Sequence, residues 1–191
     1  MAVEGEPELV RIAYHEAGHA VATMLLGLDV NEVSIVPGKG RLGHQENLYE
    51  DDTRPATWTN PDGHVVNGLE LIPSVYKAHI VGLYAGRAAV AMLDGEHDPG
   101  RAFTGMEGDD HDKRQAAKRI TVLWGGGREH RRRARRYRRV ALWLMWRHRI
   151  KIERVAEALL RFGRLEMDDV DAAVEGGAGA VERFRKLLAR T

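Results

Sequence analysis

The sequence predicts a mainly α-helical domain with a small β-sheet, an α+β fold. Three observations predict it. Apolar residues recur at helical spacing through most of the chain, strand-like alternation is confined to one short stretch, and glycine and proline clusters cut the chain into segments of helix length. At 191 residues the chain suits one domain with a substantial core. We read residues 1–191 as a single domain with a first part at 8–123 and a C-terminal helical part at 124–191.

The elements follow in order. Residues 8–28 read as a helix, because Val10, Tyr14, Ala17, Val21, Met24, Leu25 and Leu28 share a helical period and Gly27 lies near the end. Residues 32–36 read as a short strand closed by Pro37-Gly38. Residues 45–67 are polar, with two prolines and Asp62-Gly63, and read as a long loop. Residues 69–93 read as a helix interrupted near Gly82 and Gly86, then a loop to Gly108 and a helix over about 109–123. Gly125-Gly126-Gly127 reads as a hinge. One or two helices follow over 128–160, a turn at 162–165, a short acid-capped helix at 167–174 and a basic amphipathic helix at 181–188.

Composition narrows the chemistry. There is no cysteine, which excludes disulfides, thiolate zinc ligands and a thiol nucleophile. Histidine and carboxylate remain as the metal ligands available. The net charge of +1 hides an asymmetry: residues 1–112 carry 7 Lys+Arg against 19 Asp+Glu, and residues 113–191 carry 22 against 9. Such a split marks an interaction surface, or two parts that dock on each other. The N-terminus has no signal-peptide pattern and no apolar stretch suits a membrane span, so a cytoplasmic protein is expected.

One motif carries chemistry. His15-Glu16-Ala17-Gly18-His19 is an H-E-x-x-H inside the first helix. At about 100° per residue the two histidines stand one turn apart on one face, where both imidazoles can reach a single ion. Glu16 stands beside them as a candidate general base. The apolar stripe through Tyr14, Ala17, Val21 and Leu25 lies on another side, free to pack. Composition alone predicts about 0.03 occurrences of such a pattern in this chain. A catalytic zinc needs a third protein ligand, here a carboxylate or a distant histidine.

Around this motif the sequence resembles a known family. Arg11-Ile-Ala-Tyr-His-Glu-Ala-Gly-His-Ala20 is similar to the start of the zinc metallopeptidase domain of FtsH-type proteases, the M41 peptidase family. In the same order, Glu32-Val-Ser-Ile-Val-Pro37, Ile80-Val-Gly-Leu-Tyr-Ala-Gly-Arg-Ala-Ala89, and Ile152-Glu-Arg-Val-Ala-Glu-Ala-Leu-Leu160 with Gly163-Arg-Leu165 resemble later blocks of that domain. The resemblance implies a zincin-type helical metallopeptidase domain holding Zn2+ through His15, His19 and an Asp that opens a later helix. The loop Phe103–Asp112 offers Asp109, Asp110 and Asp112. The family helix puts small or apolar residues four, eight and eleven positions beyond the ligand. Asp112 meets this with Ala116, Ile120 and Leu123 and ranks first. Asp109 ranks second, since Lys113 falls at its first position, and Asp110 third. His111 is kept as an outside candidate.

The resemblance further implies a metalloendopeptidase in which zinc activates a water and Glu16 handles its proton. No phosphate-binding G-x-x-x-x-G-K-[ST] pattern is present, so the expectation is a stand-alone, ATP-independent hydrolase. Its partners would be polypeptide substrates, with or without a protein that supplies them. The strand at 33–36 is expected to pair with extended substrate as a sheet edge. The rival reading is a non-enzymatic zinc-containing regulatory or nucleic-acid-binding protein. It rests on residues 128–139, which hold eight arginines in twelve positions. Nucleic acid ranks below polypeptide as a partner, because Tyr137 is the only aromatic within that run. Trp143 and Trp146, three apart, are expected to pack in a core or interface.

Overall fold

A computed structural model describes residues 7–37, 44–46, 57–59, 65–67, 73–104 and 110–188. Among them the chain forms helices α1 (Pro7–Leu25), α2 (Pro73–Leu93), α3 (Pro99–Ala102), α4 (Asp110–Trp124), α5 (Gly127–Arg147), α6 (Arg149–Phe162), α7 (Met167–Gly176) and α8 (Ala178–Leu188). The strands are β1 (Glu32–Ser34), β2 (His44–Glu46), β3 (Thr57–Thr59), β4 (Val65–Asn67) and β5 (Arg164–Glu166). The fold is mainly helical with a small β component, as the hydrophobic period predicts.

The centre of the molecule is the α1–α2 pair. Both helices are rich in small buried residues: Ala13, Ala17 and Ala20 on α1, and Ala85, Ala88 and Ala89 on α2, are fully buried. Small side chains let the two backbones approach closely, and Gly18 marks the tightest point. A Cβ at Gly18 would lie 2.6 Å from Ala89 Cβ and 2.7 Å from the Ala85 carbonyl oxygen. The second part of the chain closes over this pair, with α5 packed on α2 and α6 on α1. Ile152, Val155, Ala156 and Leu159 form the buried stripe of α6, at the i, i+3, i+4, i+7 spacing of an amphipathic helix. One contiguous core joins α1, α2, α4, α5, α6, α7 and α8.

Gly163 ends α6 with φ +75, a left-handed backbone that glycine adopts without strain, and the chain turns straight into β5. The sheet runs β2-β1-β5, antiparallel throughout, with Val33 opposite Gln45 on one side and Leu165 on the other. Arg164 of β5 pairs with Glu32 of β1 at 2.5 Å, a salt bridge between the acidic and basic parts of the chain. Strands β3 and β4 pair separately, Trp58 opposite Val66. Among the described residues no helix is long and apolar enough to cross a membrane.

Several expectations are corrected. The strand at 32–36 is not a sheet edge, because β1 is the central strand and both its sides are occupied. The segment 162–165, expected as a turn, includes the start of β5, whose three residues are too few to show a period. The expected loop at 45–67 contains short strands, and much of it lies outside the described residues. Helix α2 runs unbroken through Gly82 and Gly86. Trp143 is not core: it is 63% exposed, while Trp146 is half-buried and stacks on His97.

Candidate metal centre

Helix α1 presents His15 and His19 one turn apart, with ring centroids 4.6 Å apart and planes nearly perpendicular. Helix α4 brings Asp112 to them from its first turn. Asp112 stands one turn before the buried residues Ala116, Ile120 and Leu123, so the stripe that docks α4 on α2 also aims this carboxylate inward. His19 Nε2 lies 3.0 Å from His15 Nε2 and 3.0 Å from Asp112 Oδ2, and His15 Nε2 lies 3.4 Å from the same oxygen. Among the described residues these three form a group able to hold a metal ion.

The donor chemistry fits zinc. Tetrahedral ligands at zinc–nitrogen and zinc–oxygen distances near 2.1 Å stand about 3.4 Å apart; the observed separations of 3.0, 3.0 and 3.4 Å leave the three atoms close enough to share one ion after a small outward shift. The tautomer fits as well. His19 Nδ1 faces the Gly82 carbonyl oxygen at 2.8 Å, and since a carbonyl only accepts, Nδ1 donates. In neutral His19 the Nε2 lone pair then points at a carboxylate oxygen. Two acceptors converge without a hydrogen between them unless a proton or a metal cation sits there. A backbone carbonyl holding the far side of a metal-binding imidazole is the usual supporting contact at such sites.

Electrostatics report the same demand for positive charge. Burial pushes the His19 pKa down, but the charge of Asp112, its hydrogen bond, and the nearby charge of Glu16 together raise it to about 9. Burial pushes Asp112 up, yet the two histidines outweigh it and hold the carboxyl far below its usual range. Glu16 is buried, within α1 and adjacent in sequence to the first histidine.

Gly82 of α2 serves the site through its backbone carbonyl, and Gly86 through its missing side chain; neither breaks the helix. A Cβ at Gly86 would stand 2.5 Å from His19 Nε2 and 2.9 Å from His15 Nε2. Two glycines four apart in an apolar helix were the available sequence signal, and they read equally well as helix interruptions. The other sequence candidates fall elsewhere. His111 is exposed and outside the group. Asp109 lies outside the described residues, and Asp110 opens α4.

No protein-family model matches the chain. Two curated relatives are similar to it. The ATP-dependent zinc metalloprotease FtsH of Syntrophus aciditrophicus (strain SB) is 34% identical over 117 residues, 60% of this chain and 13% of the relative. The ATP-dependent zinc metalloprotease FtsH 1 of Symbiobacterium thermophilum is 32% identical over 192 residues, 87% of this chain and 29% of the relative. The chain spans less than a third of the length of either.

Proposed function

We propose that this chain is a zinc-dependent, M41-like endopeptidase that hydrolyses unfolded polypeptides or peptides without ATP. The observation that carries the reading is the convergence of His15 and His19 of α1 with Asp112 of α4, their ligand atoms 3.0 to 3.4 Å apart, beside the buried carboxylate Glu16 of α1. The likeness to FtsH proteases supports it.

In this reading His15, His19 and Asp112 would hold the ion. When bound, zinc supplies a Lewis acid that acidifies a water and polarises the scissile carbonyl. Glu16 would take a proton from the attacking water as general base and pass it to the leaving amine as general acid. The Gly82 carbonyl keeps His19 in the tautomer whose Nε2 is a ligand. Strand β2, the outer strand packed near α1, offers backbone along which an extended substrate can lie, so selection would rest on main-chain pairing and be broad.

The test is casein cleavage by the wild type and Glu16→Gln, with zinc content measured in both and 1,10-phenanthroline as the chelation control. Zinc retained in both, with cleavage lost only in the variant, is the expected result. Equal cleavage by both would remove Glu16 from the mechanism. Zinc without cleavage in either would make the site structural.

A further inference from the structure

The arginine run does not face the candidate metal centre. On α5 the buried residues are Ala134, Tyr137, Ala141, Leu144 and Met145 on one face, with Leu142 buried beyond the end of the arginine run. Two arginines serve the fold: Arg133 pairs with Glu129 and lies over Trp124, and Arg138 lies over Tyr84 and Phe103. The other six, Arg128, Arg131, Arg132, Arg135, Arg136 and Arg139, are exposed. Their spacing of i, i+3, i+4, i+7, i+8 and i+11 puts them in one stripe opposite the core, about 16 Å long. Between these side chains runs a concave surface. Arg132 approaches Glu129 at 3.7 Å; none of the other five has an acidic partner among the described residues. One turn beyond Arg139 on the same stripe stands Trp143, 63% exposed.

Uncompensated like charges on successive turns repel one another, so α5 bears a cost that a polyanion would relieve. Two features select the kind of polyanion. The basic groups between 128 and 139 are all arginine, never lysine, and the guanidinium fork matches phosphate. They cover about 140° of the helix circumference over a length of about 16 Å. The row ends in an accessible indole, a face on which an unpaired base can stack. A bilayer is disfavoured, because the apolar side of α5 is spent on the core and cannot insert. We infer that α5 binds single-stranded nucleic acid, with the phosphates along the arginine stripe and a base against Trp143. This is independent of the protease reading.

The full chain would be titrated into fluorescein-labelled dT20 and into a labelled duplex of the same length, with anisotropy read between 50 and 200 mM salt. Four to six phosphate contacts give a log–log salt slope of about −3 to −4 for a single strand. The triple variant Arg131→Glu/Arg135→Glu/Arg139→Glu should bind dT20 at least thirty-fold more weakly and flatten the slope by about 2. Trp143→Ala should weaken dT20 binding by about five- to a hundred-fold and leave the duplex unchanged. All substituted positions are exposed, and an unchanged thermal melt shows the variants folded. Undetectable dT20 binding, or equal binding by the triple variant, would overturn the inference. So would stronger retention on phosphatidylserine vesicles or polyglutamate than on dT20, which would assign the stripe to a lipid surface or an acidic polypeptide.

Discussion

Gly86 lies directly beneath His19: a Cβ placed on it would stand 2.5 Å from the imidazole Nε2. The absent side chain is what allows both histidines of α1 to lean over α2 and meet a carboxylate arriving from α4. Gly86→Ala should therefore lower zinc affinity about ten- to a hundred-fold, the range seen when support for a ligand is lost. Helix content should be unchanged, since alanine is the better helix former by about 1 kcal/mol. Competition with a chromophoric chelator measures the first and circular dichroism the second. Unaltered affinity would mean that α2 yields rather than the imidazoles.

Gly18→Ala should fail differently. Its Cβ would meet Ala89 Cβ and the Ala85 carbonyl oxygen, so α1 and α2 must part along their whole contact. Overpacking of this kind costs about 1–3 kcal/mol, which for a chain of this size lowers Tm by about 2–4 °C per kcal/mol. Differential scanning calorimetry on the metal-free protein separates this loss of packing from loss of metal.

The carboxylates near the start of α4 can be ranked by substitution. Asp112→Asn should abolish tight zinc binding, because Asp112 Oδ2 is the oxygen within 3.0 Å of His19 Nε2 and 3.4 Å of His15 Nε2. Asp109→Asn and Asp110→Asn should leave zinc stoichiometry at the wild-type value. Retained zinc in Asp112→Asn alongside its loss in Asp109→Asn would return the ligand to the position ranked second from the sequence.

Zinc affinity should depend steeply on pH. The His19 pKa, 6.5 in an unfolded chain, rises to about 9 in the fold, with Asp112 as the main cause opposing burial. At neutral pH metal binding must then displace a proton from His19. Affinity should rise about tenfold per pH unit from 7 to 8 and level off above about 9. Calorimetry in buffers of different ionisation enthalpy should count that released proton. For the metal-free protein the sign reverses. The protonated His19–Asp112 pair stabilises the fold fully below pH 6.5, and this contribution is lost as pH rises through about 9. Asp112, held low, adds stability above the usual carboxylate range that disappears only in stronger acid. Tm of the metal-free protein should therefore fall between pH 6.5 and 9, and Asp112→Asn should remove that slope.

Much of this protein is legible in one dimension because local periodicity encodes it. The 3.6-residue period of α1 placed His15 and His19 on one face before any packing was known, and the residues of 128–160 announced one or two helices where α5 and α6 lie. The chain folded in space decided what periodicity cannot carry. Asp112 stands 93 positions from His19, and only the docking of α4 on α2 closes that distance. Gly86 looks like a helix break until α1 lies across it, because a glycine's meaning depends on what approaches it. Strand β5 has no period of its own and exists because β1 pairs with it, which leaves β1 without a free edge. The arginine run was visible as composition, but which of its side chains brace the core and which face solvent followed only from how α5 packs on α2. Local sequence sets which face of a helix is apolar; contact between distant segments sets what that face, and the one opposite, will meet.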